Sequence, residues 1–286
     1  MHALAGRAVL MITSMLLAAP LARPASLRSL VETEYAFAQA VEDDGMRYGY
    51  LLYLAPDAIG FTPEPTPIRP FWENHLPTQD KLRWYPVYAE TNAAGDLGFT
   101  AGPWTSTSRT TGGSGYGDFV TIWRHSDADG WRIAVQAGIT HEAPAKRLKP
   151  ARATQFSSRA LEARGGGDTT ASSGFDDCDN RYSDVVIHQG PAAAIRQFGR
   201  RDLRAYVLGQ QVARDRNSAL TLLAAFTGAG SAQRGFTGSG GSADLGYTYG
   251  TIDFAQPGPQ HYLRVWRAHG TRCQLALELL RPRMPR

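Results

Sequence analysis

The chain has 286 residues, of which 43% are hydrophobic and 20% are charged, so a disordered or collagen-like protein is excluded and two ordinary domains fit. Its net charge of +4 and isoelectric point near 9.1 are not spread evenly along the chain. Residues 30–143 hold seven Lys and Arg against fifteen Asp and Glu, and the basic excess lies mainly in residues 1–29, 144–174 and 281–286. We therefore expect no nucleic-acid partner, because an acidic folded face repels phosphates.

The first 25 residues have the pattern of an export signal. Arg7 precedes an apolar run over residues 8–22, and small residues such as Ala25 follow it. The run is shorter than the roughly 20 residues that span a bilayer, so we expect a cleaved signal peptide over residues 1–25 and no membrane anchor afterwards. The mature protein is then secreted or periplasmic. There Cys178 and Cys273 can form a disulfide, and two separate buried thiols are the alternative.

A repeat of about 145 residues divides the chain into two units. Residues 96–102 (DLGFTAG) recur as residues 244–250 (DLGYTYG). The other matches keep the same order and pair residues 30–45 with 175–190, 119–124 with 262–267, and 131–135 with 273–277. We therefore predict domains over residues 30–143 and 175–280, joined by a Gly- and Ser-rich linker over residues 144–174.

Apolar periodicity in the first unit predicts helices followed by strands. Spacing close to 3.6 residues indicates helices, and runs rich in Val, Ile, Thr and aromatic residues between Gly- and Asp-containing turns indicate strands. The predicted elements are helices over residues 30–45 and 46–54, a strand over 58–62, a short helix over 71–75, and strands over 85–91, 97–104, 116–125 and 131–139. Consecutive strands with short turns form an antiparallel meander, so the fold class is α+β, with helices covering one face of a curved sheet.

Three motifs in the first unit resemble a known family. They are residues 95–104 (GDLGFTAGPW), 116–123 (YGDFVTIW) and 129–131 (DGW). Together they are similar to the nuclear transport factor 2-like superfamily, in the branch described as SnoaL-like or DUF4440 domains. The resemblance covers nearly all of residues 30–142 and, more weakly, 175–280, which implies two tandem copies with a divergent second one.

The resemblance implies two cone-shaped α+β barrels, each with N-terminal helices on a mainly antiparallel curved sheet that encloses an apolar pocket. It also implies pairing through the outer sheet faces, which here would make the two domains an intramolecular pseudo-dimer. The superfamily includes ketosteroid isomerase, scytalone dehydratase and polyketide cyclases, and also domains without any chemistry. The position of the isomerase's general base aligns with Thr62, and a hydroxyl is a poor proton acceptor, so the familiar isomerase signature is absent.

Two carboxylates are candidates for acid or base chemistry. Asp118 lies in an otherwise apolar and aromatic strand, where burial would raise its pKa as a general acid or base requires. The alternative is that Asp118 faces solvent or bonds to a turn. Glu64, two residues after Thr62, is the second candidate. Asp96 and Asp244 occupy equivalent places after Gly- and Ser-rich stretches, so we expect them to stabilise turns.

Aromatic residues concentrate in the first unit, which contains five of the six tryptophans. They either line a cavity for a small apolar ligand or fill a core. Polar residues on or just beyond the last strand would lie near the mouth of such a cavity, or else on the surface. The candidate ligand-binding residues are Tyr35, Tyr50, Phe61, Trp72, Trp104, Trp123, Gln136 and His141.

No metal or cofactor is expected. The seven histidines are dispersed, and no His, Cys and carboxylate cluster has the spacing of a metal site. The loop over residues 113–117 (GSGYG) matches neither a dinucleotide-binding nor a nucleophile-elbow motif. The leading hypothesis is therefore an exported protein that binds a small apolar ligand in its first domain. The alternatives are an isomerase or lyase that uses a pocket carboxylate, and a non-catalytic structural or interaction module.

Overall fold

The computed structural model describes residues 25–146, 172–269 and 272–284. The predicted signal peptide and most of the predicted linker lie outside the described residues. Among the described residues, no helix is long and apolar enough to cross a membrane.

The first half begins with two helices that meet at a glycine. Helix α1 (Leu27–Asp44) starts at a capping box, in which the side chains of Ser26 and Ser29 each accept the other's backbone N–H. It ends at Gly45, whose φ of 90° favours a residue without a side chain. Helix α2 (Met46–Tyr53) follows directly.

A seven-stranded mixed sheet completes the first half. Its main path runs β2-β1-β7-β6-β5-β3, and β4 also pairs with β5. Only the β1–β7 pair is parallel. The remaining elements are β1 (Leu54–Phe61), β2 (Pro65–Pro67), α3 (Arg69–Glu73), β3 (Lys81–Trp84), β4 (Tyr88–Thr91), β5 (Leu97–Thr107), β6 (Ser114–Ser126) and β7 (Gly130–Thr140).

The α+β class is confirmed, but the sheet is open where a closed cone was expected. Among the described residues, no strand pairing joins the two edges β2 and β3. Two of the three residues of β2 are proline, which cannot donate to a further strand, so this edge ends the sheet. A second difference is that β1 begins at Leu54, where a helix end and a turn were predicted. Its register with β7 shifts before Ile59, which accommodates Pro56 inside the strand.

The second half repeats the order of two helices, a strand, a short helix and an antiparallel meander, around an open five-stranded sheet without a counterpart of β2 among the described residues. The strand order is β8-β12-β11-β10-β9, and only β8 and β12 are parallel. A disulfide between Cys178 and Cys273 joins its first helix to its last strand, which decides between the two alternatives for these cysteines. The elements are α4 (Ser172–Gln189), α5 (Pro191–Phe198), β8 (Gly199–Val207), α6 (Arg216–Leu222), β9 (Thr227–Ser239), β10 (Leu245–Gln256), β11 (Gln260–His269) and β12 (Arg272–Pro282).

The two sheets pack face to face around a shared apolar core. Because side chains alternate along a strand, Val120 and Ile122 of β6 point between the sheets, whereas Phe119 packs with the helices. Leu263 and Val265 of β11 face the same space from the second half. The residues of this shared core form the main apolar contact between the two halves, and their burial stabilises the packing of the sheets.

Charged side chains border this shared core. Glu90 of the first half accepts hydrogen bonds from Arg200 Nη1 at 3.0 Å and from Arg267 Nε at 2.7 Å, both in the second half. Asp96 Oδ2 accepts the N–H of Gly241 at 2.8 Å, and Asp244 accepts the N–H of Ala93 at 3.2 Å. The two equivalent aspartates therefore do more than stabilise their own turns, because each binds the turn of the other half.

Replacing Glu90 tests how much this ion cluster stabilises the packed halves. Glu90→Gln leaves two arginines, whose side chains are 11% and 6% exposed, without their shared carboxylate. Each arginine keeps a second carboxylate, Asp202 for Arg200 and Asp244 for Arg267, so we expect the free energy of unfolding to fall by about 2 kcal/mol, the loss of charge-assisted hydrogen bonds.

Urea titration of the full chain measures this change, with Glu73→Gln as the control. Glu73 pairs loosely with Arg69 at 3.7 Å and is 51% exposed, so its loss should cost less than about 1 kcal/mol. Equal effects of the two substitutions would show that the Glu90 cluster contributes no more than a surface ion pair.

Candidate functional site

Two neighbouring cavities in the first half share the side chains of Trp84 and Trp104. The apolar cavity, between helices α2 and α3 and the sheet, has a volume of about 250 Å³. The polar cavity has a volume of about 380 Å³ and extends to the second half. The other residues that line the apolar cavity are Tyr50, Phe61, Thr62, Ile68, Trp72, Leu82, Phe119, Gln136, Ala137 and Gly138.

Aromatic stacking and a missing side chain shape the apolar cavity. Tyr50 of α2 and Trp72 of α3 stack with their ring centroids 3.9 Å apart and their planes 11° apart. In the sheet, Gly117 of β6 lies beside Trp104 of β5, and a Cβ at Gly117 would lie 2.4 Å from the indole ring. Glycine at that position therefore allows the indole to lie flat against the sheet. The Tyr50 hydroxyl accepts a hydrogen bond from Gln136 Nε2 at 3.1 Å, and burial raises the pKa of Tyr50, so this wall stays uncharged.

A buried acid–histidine pair lines the polar cavity. Asp118 Oδ2 and His141 Nε2 are 2.8 Å apart, and the two side chains are only 6% and 3% exposed. Burial raises the pKa of Asp118, and the hydrogen bond from His141 partly offsets that effect. On the far side of the ring, Nδ1 lies 2.7 Å from the carbonyl oxygen of Glu142. A carbonyl can only accept, so a hydrogen on Nδ1 suits this contact, while Nε2 bonds to the carboxyl of Asp118.

One oxygen of Asp118 is left for a ligand. Oδ2 is engaged by His141, and among the described residues Oδ1 has no hydrogen-bond donor. Both nitrogens of His141 are occupied within the protein. The pair therefore presents the carboxyl of Asp118 to the cavity, while the imidazole orients it and can hold a proton.

The second half supplies part of the polar cavity. Gln211 and Arg214, between β8 and α6, both line it. Gln211 Nε2 lies 3.1 Å from His141 Nδ1 and donates to the Glu142 carbonyl at 2.9 Å. The N–H of Gly209 donates to the carbonyl of Thr140 at 2.8 Å, which fixes this segment against the end of β7.

The structure brings together most of the residues that the sequence singled out. Asp118, predicted as an acid or base, and His141, predicted as a ligand contact, form the buried pair, although 23 residues separate them in the chain. The other predicted ligand-binding residues at the cavities are Tyr35 at the polar cavity, Trp104 at both, and Tyr50, Phe61, Trp72 and Gln136 at the apolar one.

Two predicted site residues do not line either cavity. Glu64 is half-buried in the turn between β1 and β2, where its backbone carbonyl accepts the N–H of Thr62 at 3.1 Å. Trp123 is fully buried below the helices, and its Nε1 donates to Glu34 Oε2 at 3.1 Å and to Thr100 Oγ1 at 3.0 Å. Its ring packs within the core of the first half and lines neither cavity, so the structure does not support a role in ligand binding.

The sequence prediction missed Glu34, a carboxyl at the centre of the first core. Glu34 is fully buried and accepts hydrogen bonds from Trp84 Nε1 at 2.6 Å, from the Thr100 hydroxyl and from Trp123. Burial raises its pKa to about 7, although the hydrogen bonds oppose this shift. A signal was present in the sequence, because Glu34 falls on the apolar stripe of the predicted helix. Gln211 and Arg214 carried no such signal.

In the second half, a buried ion cluster includes the position that corresponds to Gln136 in the wall of the apolar cavity. Thr121 pairs with Gln136 across β6 and β7, and Arg264 pairs in the same way with Glu278 across β11 and β12. Arg264 Nε is 3.0 Å from Glu278 Oε1, and its Nη1 is 2.9 Å from Asp179 Oδ1. This guanidinium is only 1% exposed and lies between the two carboxylates in the interior of the second half.

No group of three or more His, Cys, Asp or Glu side chains among the described residues could hold a metal ion.

Comparison with known proteins gives likeness of fold only. Neither a protein-family model nor a curated protein matches this chain. Solved structures similar to part of it include a ketosteroid isomerase-like protein from Erwinia carotovora atroseptica, with 12% identity over 41% of this chain and 96% of its own, at a TM-score of 0.33. An NTF2-like protein from Cytophaga hutchinsonii has 10% identity over 37% and 93% of the two chains, at a TM-score of 0.30. A SnoaL-like protein from Jannaschia sp., named as a polyketide cyclase, has 12% identity over 41% and 90%, at a TM-score of 0.31.

The raised pKa of Glu34 predicts a dependence of stability on pH. The folded state holds this proton more tightly than an unfolded chain, in which the pKa is near 4.5. The contribution of Glu34 to stability is therefore fully present below pH 4.5 and is lost as the pH rises through about 7. From 1.36 kcal/mol per pKa unit, the stability of the wild type relative to Glu34→Gln should fall by about 3 kcal/mol over this interval.

Urea midpoints of the two proteins between pH 4 and 8 measure the difference. Glu32→Gln, on the exposed face of the same helix, controls for the loss of one negative charge from α1. A constant difference between wild type and Glu34→Gln across this range would contradict the proposed titration.

Proposed function

We propose that the first half binds a small, largely apolar molecule in the apolar cavity. The observation that carries this proposal is an open space of about 250 Å³ whose walls are mainly aromatic and aliphatic side chains. Its few polar groups include Thr62 and the hydrogen-bonded pair of Tyr50 and Gln136. Apolar walls with a few fixed polar groups are the usual composition of a small-molecule site.

The volume limits the size of the ligand. The apolar cavity is below the roughly 300 Å³ of typical ligand pockets, a volume that by itself favours a filled structural module, so only a compact molecule fits in it alone. A structural module filled by its own aromatic residues is the alternative, and Trp123 does fill the core in that way. The space that remains beside Trp72, Trp84 and Trp104 favours binding.

Tandem organisation and export complete the proposal. We propose that the two halves are copies of a nuclear transport factor 2-like unit that pair through their sheets as an internal pseudo-dimer. Their common order of helices and strands and the shared core between the sheets support this. Export is supported by the apolar pattern of the N-terminus and by the Cys178–Cys273 disulfide, because such bonds persist in oxidising compartments.

Filling the apolar cavity should abolish binding. Leu82 lines the cavity and is half-buried, so Leu82→Trp places an indole in the space where the ligand would lie. We expect indole, used as the probe, to bind the wild type and to raise its melting temperature. Its affinity for Leu82→Trp should be at least about tenfold weaker, because a filled cavity leaves no apolar surface to bury.

Isothermal titration calorimetry of the full chain measures these affinities. Leu220→Trp is the matched control, because Leu220 is also a half-buried leucine but lies in the second half, outside the apolar cavity. No binding of indole to the wild type, or equal binding to Leu82→Trp, would refute the proposed site.

Acid–base chemistry is the second candidate function, and the buried pair of Asp118 and His141 favours it. A carboxyl with a raised pKa beside an imidazole, at the wall of a cavity, suits a general base that abstracts a proton next to a carbonyl. In this reaction the Asp118 carboxylate accepts a proton from the α-carbon of a ketone and returns one to it. His141 holds the carboxylate in place.

Hydrogen exchange into an enolisable ketone tests this chemistry. In D2O, the wild type should accelerate the loss of the α-protons of 2-tetralone, as followed by proton NMR. Asp118→Asn should reduce the acceleration about 100-fold, because an amide cannot accept the proton. Asp127→Asn, in the exposed turn before β7, is the control and should retain it. Equal exchange with the wild type and Asp118→Asn would eliminate this role for Asp118.

A further inference from the structure

We propose that the ligand carries a carboxylate, and that Arg214 of the second half and Lys146 bind this group in the polar cavity. This inference rests on the proposed binding of an apolar molecule in the neighbouring cavity. It adds the chemical class of the ligand, which is a compact apolar body with one acidic end.

The first step of the argument is the position of the two cavities. Trp84 and Trp104 line both of them, so the two spaces adjoin at these side chains. A ligand whose apolar body lies against one face of this pair has its other end beside the polar cavity. Together the cavities offer an apolar compartment and a polar one to a single molecule.

The second step is the balance of charge in the polar cavity. Arg83 lies 2.9 Å from Glu42, and the Asp118 carboxyl is hydrogen-bonded to His141. Arg214 and Lys146 also line the cavity, and among the described residues neither has an ion-pair partner. The lining therefore holds three cations, Arg83, Lys146 and Arg214, against the two carboxyls of Glu42 and Asp118, and this excess of positive charge favours an anion there.

The third step is the electrostatic effect of Arg214 on the buried pair of Asp118 and His141. Its charge is one of those that lower the pKa of Asp118, so it acts electrostatically on the inner wall of the cavity and not only on solvent. A planar guanidinium binds a carboxylate through two parallel hydrogen bonds, so Arg214 can hold the acidic end of the ligand in one orientation.

The second half therefore contributes to ligand binding through a segment that reaches the first half, and not through its own interior. Arg264 and its two carboxylate partners occupy the centre of the second half, whereas the segment between β8 and α6 reaches the first half and supplies Arg214. The site is therefore complete only when both halves are packed together.

Binding of a matched pair of probes tests the inference. We would compare 4-phenylbutanoate with 4-phenylbutanamide, which differ in charge but hardly in shape, by calorimetry on the full chain. The acid should bind the wild type more tightly than the amide, and added salt should weaken only the acid, because screening affects the charged contact. Arg214→Gln should weaken the acid about fivefold or more and leave the amide within about twofold.

Two controls separate this effect from general loss of charge or of fold. Arg216→Gln removes a cation two residues along the same segment that does not line the polar cavity, and it should leave both affinities unchanged. Lys146→Gln should weaken the acid selectively, as Arg214→Gln does. Acetate, which has the charge without the apolar body, should not compete at the same concentration.

The outcomes distinguish this inference from the function on which it rests. If indole and both phenyl probes bind, but acid and amide bind equally or Arg214→Gln changes neither, the carboxylate proposal is overturned and the apolar site stands. The same holds if indole binds and neither phenyl probe does. If no probe binds, the apolar site itself fails and the carboxylate proposal fails with it.

Discussion

The packing of the two sheets against each other is the contact on which the rest of the molecule depends. Each sheet has one face covered by its own helices, and the opposite faces bury Val120, Ile122, Leu263 and Val265 between them. This apolar contact places the charged groups of one half beside the partners of the other, as in the binding of Arg200 and Arg267 to Glu90. It also brings the segment after β8 to the end of β7, so that Gln211 reaches the carbonyl next to His141.

A buried carboxylate on the first helix recurs in both halves, yet the two interiors differ. Glu34 is bonded to Thr100 and Trp123, and Asp179, 145 residues later, is bonded to Thr248, which in turn accepts from Trp266 at 2.9 Å. In the first half, the carboxyl of Glu34 accepts hydrogen bonds from neutral donors, and one of them, Trp84, lines the apolar cavity. In the second half, the guanidinium of Arg264 lies in the interior. Its ion pairs with Asp179 and Glu278 compensate for the loss of its hydration.

The correct and the incorrect predictions from the sequence have different physical causes. The helices and most strands follow from periodic apolar residues and glycine-containing turns, which are local properties. The start of β1 at Leu54 was missed because pairing with β7 overrides the turn that Ala-Pro-Asp favours locally. The open edge at β2 follows from two prolines, whose effect on closure appears only when the strand order is known.

The sequence by itself determined the α+β class, the pattern of the two units and the concentration of aromatic residues in the first, because each depends on residue type and short-range spacing. It also pointed to Asp118 and to His141 separately. Only the tertiary structure decided that these two side chains meet at 2.8 Å, that Trp123 belongs to the core, and that Gln211 and Arg214 join the site from the other half. Those outcomes depend on strand register and on how one sheet is placed on another, which are contacts between residues far apart in the chain.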